Sequence, residues 1–250
     1  MIGKSEPALL SLVFAKGQRP DADCLFELAK RTGKTSPSAG MGFAVSHCPA
    51  GSNSWLELLV MGLTLECRGL APADPMPLPP IGQLLGLSGP VKGETIDLRP
   101  GPHLGEGPAL LPVIRVMCGL GATLAALPEL LAVCWGPARS WMAPDYFVRA
   151  TNNWLAGGAF PALGLATLDR DQSGVLTSVG LDYLIGQELR FEPDSGMTTT
   201  AASRIAVRLI HQMAEGGAIT STRDIVGLDG ETLLAVPARG GRQLQVARRR

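Results

Sequence analysis

Neither sign of charge is in surplus in this chain of 250 residues: Lys plus Arg and Asp plus Glu number 22 each. No long-range field therefore draws the molecule to nucleic acid or to an anionic membrane surface. Aromatic residues make up 5%, and there are three histidines, His47, His103 and His211. No Cys-x-x-Cys, His-x-x-x-His or clustered carboxylate spacing accompanies them, so no metal and no cofactor is expected. The five cysteines, Cys24, Cys48, Cys67, Cys118 and Cys134, are odd in number and widely spaced in mostly apolar surroundings. That excludes the paired framework of a small secreted domain and fits a reducing cytoplasm. The run Ala8 to Ala15 after Lys4 is short and lacks a cleavage-site pattern, so no signal peptide is expected.

What the chain does have is core material: 46% of its residues are hydrophobic and the mean hydropathy is +0.19. This is the composition of a globular protein. The longest apolar stretch, Ala109 to Leu127, carries Pro112, Arg115, Gly119 and Gly121 and sits at the short end of what a bilayer requires. Leu110, Ile114, Met117, Gly121 and Leu124 fall on one stripe, which predicts a buried helix instead of a membrane span.

The order of elements suggests a duplication. Ala8–Ala15 reads as a strand, the segment from Cys24 to Gly33 as a helix, and Gly40–His47 and Ser54–Arg68 as strands, the last long and interrupted at Gly62. Ala71–Pro80 is proline-stiffened, and Glu94–Leu98 reads as a short strand. The pattern then restarts. Leu130–Trp135 reads as a strand, Pro144 and Asp145 open a helix, Pro161–Leu168 reads as a strand, and Asp171–Gly174 has hairpin-turn composition. A strand at Glu188–Glu192, a helix over Thr199–Glu215 and a hairpin of 232–237 with 243–247 complete the chain. The expected fold is α+β: two similar strand-helix-strand-strand-helix halves packed as one body, with antiparallel sheets and helices on one face. Residues 1–70 form the first half, 71–107 a proline- and glycine-rich connection, 108–127 the helix completing that half, and 128–250 the second half.

Within the second half, Leu131-Ala132-Val133-Cys134-Trp135, Ala143-Pro144-Asp145-Tyr146-Phe147, Pro161 to Leu168, Gly180-Leu181 and Gly186-Gln187-Glu188-Leu189 resemble the succession in an uncharacterised bacterial group, domain-of-unknown-function family 4261. The resemblance implies a bacterial α+β protein. It transfers no catalytic residue, because that family has no established chemistry.

The chemical candidates are few. Gly33-Lys34-Thr35 lacks the earlier glycine and the preceding strand of a phosphate-binding loop. Asp169 to Gly174 starts like a calcium loop, but position twelve is Gly180 where the ion requires a bidentate glutamate. The closing Arg248-Arg249-Arg250 reads as a frayed tail. Cysteine chemistry is the serious enzymatic alternative: Cys134 and Cys48 lie near strand ends, and His103 lies on a glycine- and proline-rich loop. His47 adjoins Cys48, but neighbouring residues of a strand point to opposite faces. His211 belongs to the polar face of the last helix. For recognition, the best loop is Trp135 to Trp141, with Arg139 between two tryptophans, since arginine and tryptophan concentrate binding energy. The expected function is a non-enzymatic binding or protein-interaction module, with a protein or small ligand as partner and neither nucleic acid nor membrane. A cysteine-dependent hydrolase or transferase is the rival.

Overall fold

The computed structural model describes residues 8–33, 41–49, 54–104, 107, 109–227 and 230–249. Lys34, Thr35, Gly40, the turn 50–53 and Arg250, which figure in the sequence expectations, lie outside the described residues. The chain forms two compact units, Met1–Gly157 and Gly158–Arg250. Each is α+β, as expected.

The first unit runs β1 (Leu10–Phe14), α1 (Ala22–Thr32), β2 (Ala44–His47), β3 (Trp55–Val60), β4 (Leu63–Arg68), β5 (Gln83–Leu85), β6 (Glu94–Pro100), α2 (Leu111–Leu124), β7 (Leu130–Trp135), β8 (Ser140–Met142) and α3 (Pro144–Leu155). Its eight strands form one sheet in the order β2-β3-β4-β6-β1-β7-β8-β5. All pairs are antiparallel except β5 with β8. Because β7 and β8 hydrogen-bond into this sheet beside β1, the boundary between units falls after Gly157, whereas the sequence placed the second half from residue 128.

Local signals set the helix limits. Asp21 caps α1 by accepting the Cys24 N–H at 2.8 Å, and the N–H of Gly33 closes its last turn on the Ala29 carbonyl at 2.9 Å. Pro144 occupies the first position of α3, with Asp145 in its first turn. Arg115, the charge that argued against a membrane span, projects from α2 onto α3. Its guanidinium stacks over the Trp154 ring at 4.8 Å and donates to the carbonyls of Trp154 and Leu155 at 3.2 Å each. No helix among the described residues is long and apolar enough to cross a membrane.

Strand register separates the two faces of this sheet. Leu10 pairs with Leu98 and Trp135, and Ser11 pairs with Asp97 and Cys134. On the first face Leu10, Leu12, Leu56, Leu58, Leu65, Leu98 and Val133 are fully buried, and α2 comes so close that a Cβ on Gly121 would lie 2.4 Å from Leu10 Cδ2. On the second face Leu84, the β5 neighbour of Trp141, together with Leu87 and Val91 packs against Val13, Ala132, Cys134 and Trp141. This packing lies at the β1-β7-β8 part of the sheet, and toward β2 the same face carries half-exposed polar side chains.

One expectation is corrected inside this sheet. The long strand read over Ser54–Arg68 is a hairpin, β3 and β4, turning at Met61 and Gly62, whose φ values are +48° and +81°. Two successive positive φ angles are those of the two-residue turn that matches the twist of paired strands. Methionine is not a usual turn residue, so the turn passed as an interruption.

The second unit runs α4 (Ala162–Leu165), β9 (Thr167–Arg170), β10 (Leu176–Val179), α5 (Leu181–Ile185), β11 (Glu188–Glu192), α6 (Thr199–Gly216), β12 (Arg223–Val226), β13 (Thr232–Pro237) and β14 (Gln243–Arg248). Its sheet has the order β12-β13-β14-β11-β10-β9, and β11–β14 is its parallel pair. Where a strand was expected over Pro161–Leu168, a helical turn precedes β9, because a short apolar run has no period that separates strand from helix. Ala202, Ile205, Ala206, Leu209, Ile210 and Met213 form the buried side of α6. Gln187, 1% exposed, ties this unit together: its side chain donates to the carbonyls of Ile219 and Gly241 and accepts the Ile219 N–H, at 2.8 to 3.0 Å. Arg248 and Arg249 do not fray. Arg248 ends β14 and pairs with Asp194, while Arg249 pairs with Asp224.

Candidate functional site

The expected thiol–imidazole pairs are not brought together. Cys134 is 1% exposed and packed with Leu84, Leu87 and Val91, and burial, with the Asp97 carboxyl as a second cause, pushes its thiol far above the ordinary range. His103 lies in a short 3-10 turn, Pro102–Leu104, with its imidazole against the Thr64 hydroxyl on β4. Three strand spacings, about 14 Å, separate β4 from β7. Cys134 is level with Arg68 through Ser11 and Asp97, four residues along β4 from Thr64. Cys48 is exposed, but it follows the His47 end of β2, while Thr64 is level with the Ala44 end through Leu59.

Nor does the loop between β7 and β8 present its tryptophans. Trp135 and Trp141 are 0% and 1% exposed. They point to opposite faces, because Cys134 pairs with Trp141 and Trp135 with Ser140. Arg139 is exposed, with a φ of +52°, and its carbonyl accepts the Gly82 and Gln83 N–H groups at 2.7 and 3.2 Å. Through these bonds the loop positions β5 against β8. The acidic turn at Asp171 is likewise occupied: its Oδ1 accepts the N–H groups of Ser173 and Val175 and the Ser173 hydroxyl. Among the described residues no cluster of His, Cys, Asp or Glu could hold a metal ion. His211 lies within 3.6 Å of Glu215 on α6.

The pairing of tryptophan with arginine that the sequence sought in that loop exists elsewhere. Trp55 and Arg68 are directly opposite across β3 and β4. The Arg68 guanidinium lies 5.8 Å from the Trp55 ring centroid, and the His47 ring packs against the same indole at 5.7 Å. Trp55 is thus flanked by an arginine and a histidine on the half-exposed part of the sheet. Such a stack holds a large amphipathic side chain in one orientation at little entropic cost on binding.

Two rows of polar residues surround this stack. One holds His47, Glu57, Glu66 and Arg99, and the next holds Trp55, Arg68, Asp97 and Ser11. Glu66 accepts from Arg68 at 2.7 Å, and Arg99 donates to Asp97 at 3.3 Å. Asp97, 2% exposed, also accepts the Ser11 hydroxyl at 2.7 Å, and burial raises its carboxyl above the usual range despite both bonds. This row therefore grades from buried and fixed at Ser11 to half-exposed at Trp55. Beside it lies β2, one of the two edge strands of the sheet, with Ala44, Ser46 and His47 exposed. At the β2 border of this face the Ser46 hydroxyl donates to the Glu57 carboxylate at 2.8 Å, with His47 paired opposite Glu57, and the tryptophan and arginine beside them are residue types that concentrate binding energy.

Comparison with known proteins adds no relative: no family model, no curated protein and no solved structure matches the chain.

Proposed function

We propose that this chain is a non-enzymatic binding module that engages an extended segment of a partner protein along β2, with Trp55 and Arg68 as the anchors. The observation that carries the reading is the half-exposed Trp55 held between His47 and Arg68 beside an edge strand. An extended peptide added to an edge gains affinity from main-chain hydrogen bonds, and nearby side chains supply selectivity. The blunting devices of natural edges are few here: β2 reads Ala-Val-Ser-His, with no charged residue and no proline, although it is short and its register shifts between Val45 and His47. The separation of Cys134 and Cys48 from His103 counts against the cysteine-dependent hydrolase or transferase. Membership of domain-of-unknown-function family 4261, a bacterial source and a cytoplasmic location belong to the same proposal.

The test is selection of a random dodecapeptide display library on the full chain. Peptides enriched on the native protein should bind Trp55→Ala and Arg68→Ala at least about tenfold more weakly, as hot-spot truncations do, and should bind Arg139→Ala normally. Peptides that bind Trp55→Ala as tightly as the native chain would refute the assignment.

A further inference from the structure

The second unit carries a separate feature that the interaction face does not use. Strand alternation in β14 puts Leu244, Val246 and Arg248 on one side, and the first two are each 1% exposed in the core. Arg248 continues that side beyond the core, directly opposite the fully buried Leu233 of β13, with its own side chain exposed. Such a placement demands a partner or a solvent-filled space. The structure supplies space: a cleft of about 690 Å³ opens there, floored by Met197, Ala201, Ile205 and Leu233. This size is within the range of small-molecule sites.

The polar groups of the cleft decide what it takes. Arg248 meets Asp194 through a single nitrogen at 3.1 Å, and its side chain is 60% exposed. A guanidinium has five donors in a planar fork, so most of its capacity toward an anion remains unused. Glu231, also on the cleft wall, is folded back against the backbone of Gly227, where an added Cβ would collide with its carboxylate. Met197 and Ala201 flank the start of the 18-residue helix α6, whose positive end favours negative charge.

We propose that this cleft binds a small amphipathic carboxylate, its acid group against Arg248 and its apolar chain over Met197, Ala201, Ile205 and Leu233. Asp194 is the group the ligand's carboxylate displaces or joins at the guanidinium. The exchange is between two anions for one cation, so neither the protein's net fold nor its core has to change.

The experiment is a methyl NMR titration of the full chain, labelled at its eight methionines, with octanoate, octanol and octylamine. Octanoate should shift the Met197 methyl saturably. Arg248→Gln, an exposed position where folding is not at stake, should weaken that binding about tenfold, as expected for loss of a charge-assisted contact. Ala201→Phe should abolish it by filling the floor. Octanol should bind more weakly and octylamine weakest. The proposal is overturned if octanoate gives no saturable shift at Met197, if all methionines shift alike, if octylamine binds as well as octanoate, or if Arg248→Gln leaves octanoate affinity unchanged.

Discussion

Arg68 stands opposite Asp97 in the β4–β6 pairing but makes its ion pair with Glu66 on its own strand. Asp97 in turn is bound by Arg99 and Ser11. The arrangement frees the Arg68 guanidinium to lie over Trp55, and it divides the row into a buried, self-satisfied end and an open, aromatic end. Removing the Arg68 side chain should therefore weaken recognition without unfolding the sheet. The Arg68 side chain is 43% exposed but that of Glu66 only 14%, so loss of the stack and of the ion pair costs on the order of 1–3 kcal/mol. Urea unfolding of Arg68→Ala should move by no more than that.

Tryptophan fluorescence offers a direct view of the same face. Trp135, Trp141 and Trp154 are 0%, 1% and 5% exposed, so acrylamide should quench Trp55 alone in the folded chain. Trp55→Phe should remove the quenchable fraction. A quenchable fraction that survives this substitution would show that another indole is open.

The cysteines should divide by reactivity. Cys24 and Cys48 are exposed, while Cys67, Cys118 and Cys134 are buried. Burial pushes the Cys67 and Cys118 thiols up to about 12 and Cys134 up as well. A maleimide at neutral pH should label Cys24 and Cys48 in the native chain and the other three only after unfolding. Rapid native labelling of Cys134 would revive the thiol-enzyme reading.

Glu188 gives a pH dependence with a definite sign. Its carboxyl accepts the Gly180 N–H at 2.7 Å and the Ser178 hydroxyl. Burial, and the neighbouring Asp182, nevertheless raise it to about 7. A carboxyl raised in the folded state is favoured in its protonated form, so its stabilising effect is full below about pH 4.5 and is lost as pH rises through about 7. Glu188→Gln, which cannot ionise, should become more stable relative to the native chain by on the order of 1–2 kcal/mol between those limits, after discounting for partial exposure. Parallel unfolding curves at pH 4.5 and 8 for both proteins measure this. An unchanged difference would remove Glu188 from the account.

Helix α2 tests the packing of the first unit. A Cβ on Gly121 would lie 2.4 Å from a methyl of Leu10, which is itself fully buried. Gly121→Ala should thus destabilise by about 1–3 kcal/mol, against its favourable helix propensity. At Gly119 the closest contact is the flexible end of Met41, so Gly119→Ala should cost less. Thermal unfolding of the pair decides it.

Much of the fold was legible because its signals are local. The Asp21 cap, Gly33 at the end of α1, Pro144 at the start of α3, the stripe of α6 and the β13–β14 hairpin all follow from residues within a few positions of one another. The site was illegible for a related reason. A two-residue turn at Met61 and Gly62 puts Trp55 opposite Arg68, so the pair was within reach of sequence reasoning had that turn been seen. The burial of Trp141 and Cys134 was not within reach, because it depends on Leu84, Leu87 and Val91 returning from far along the chain to pack against them.

The most direct test of the binding role is hydrogen–deuterium exchange of the full chain with and without a display-selected peptide. Peptide addition should slow exchange at Ala44–His47 and leave the β12 edge unchanged. Protection that leaves Ala44–His47 untouched and appears at another edge or face would contradict it.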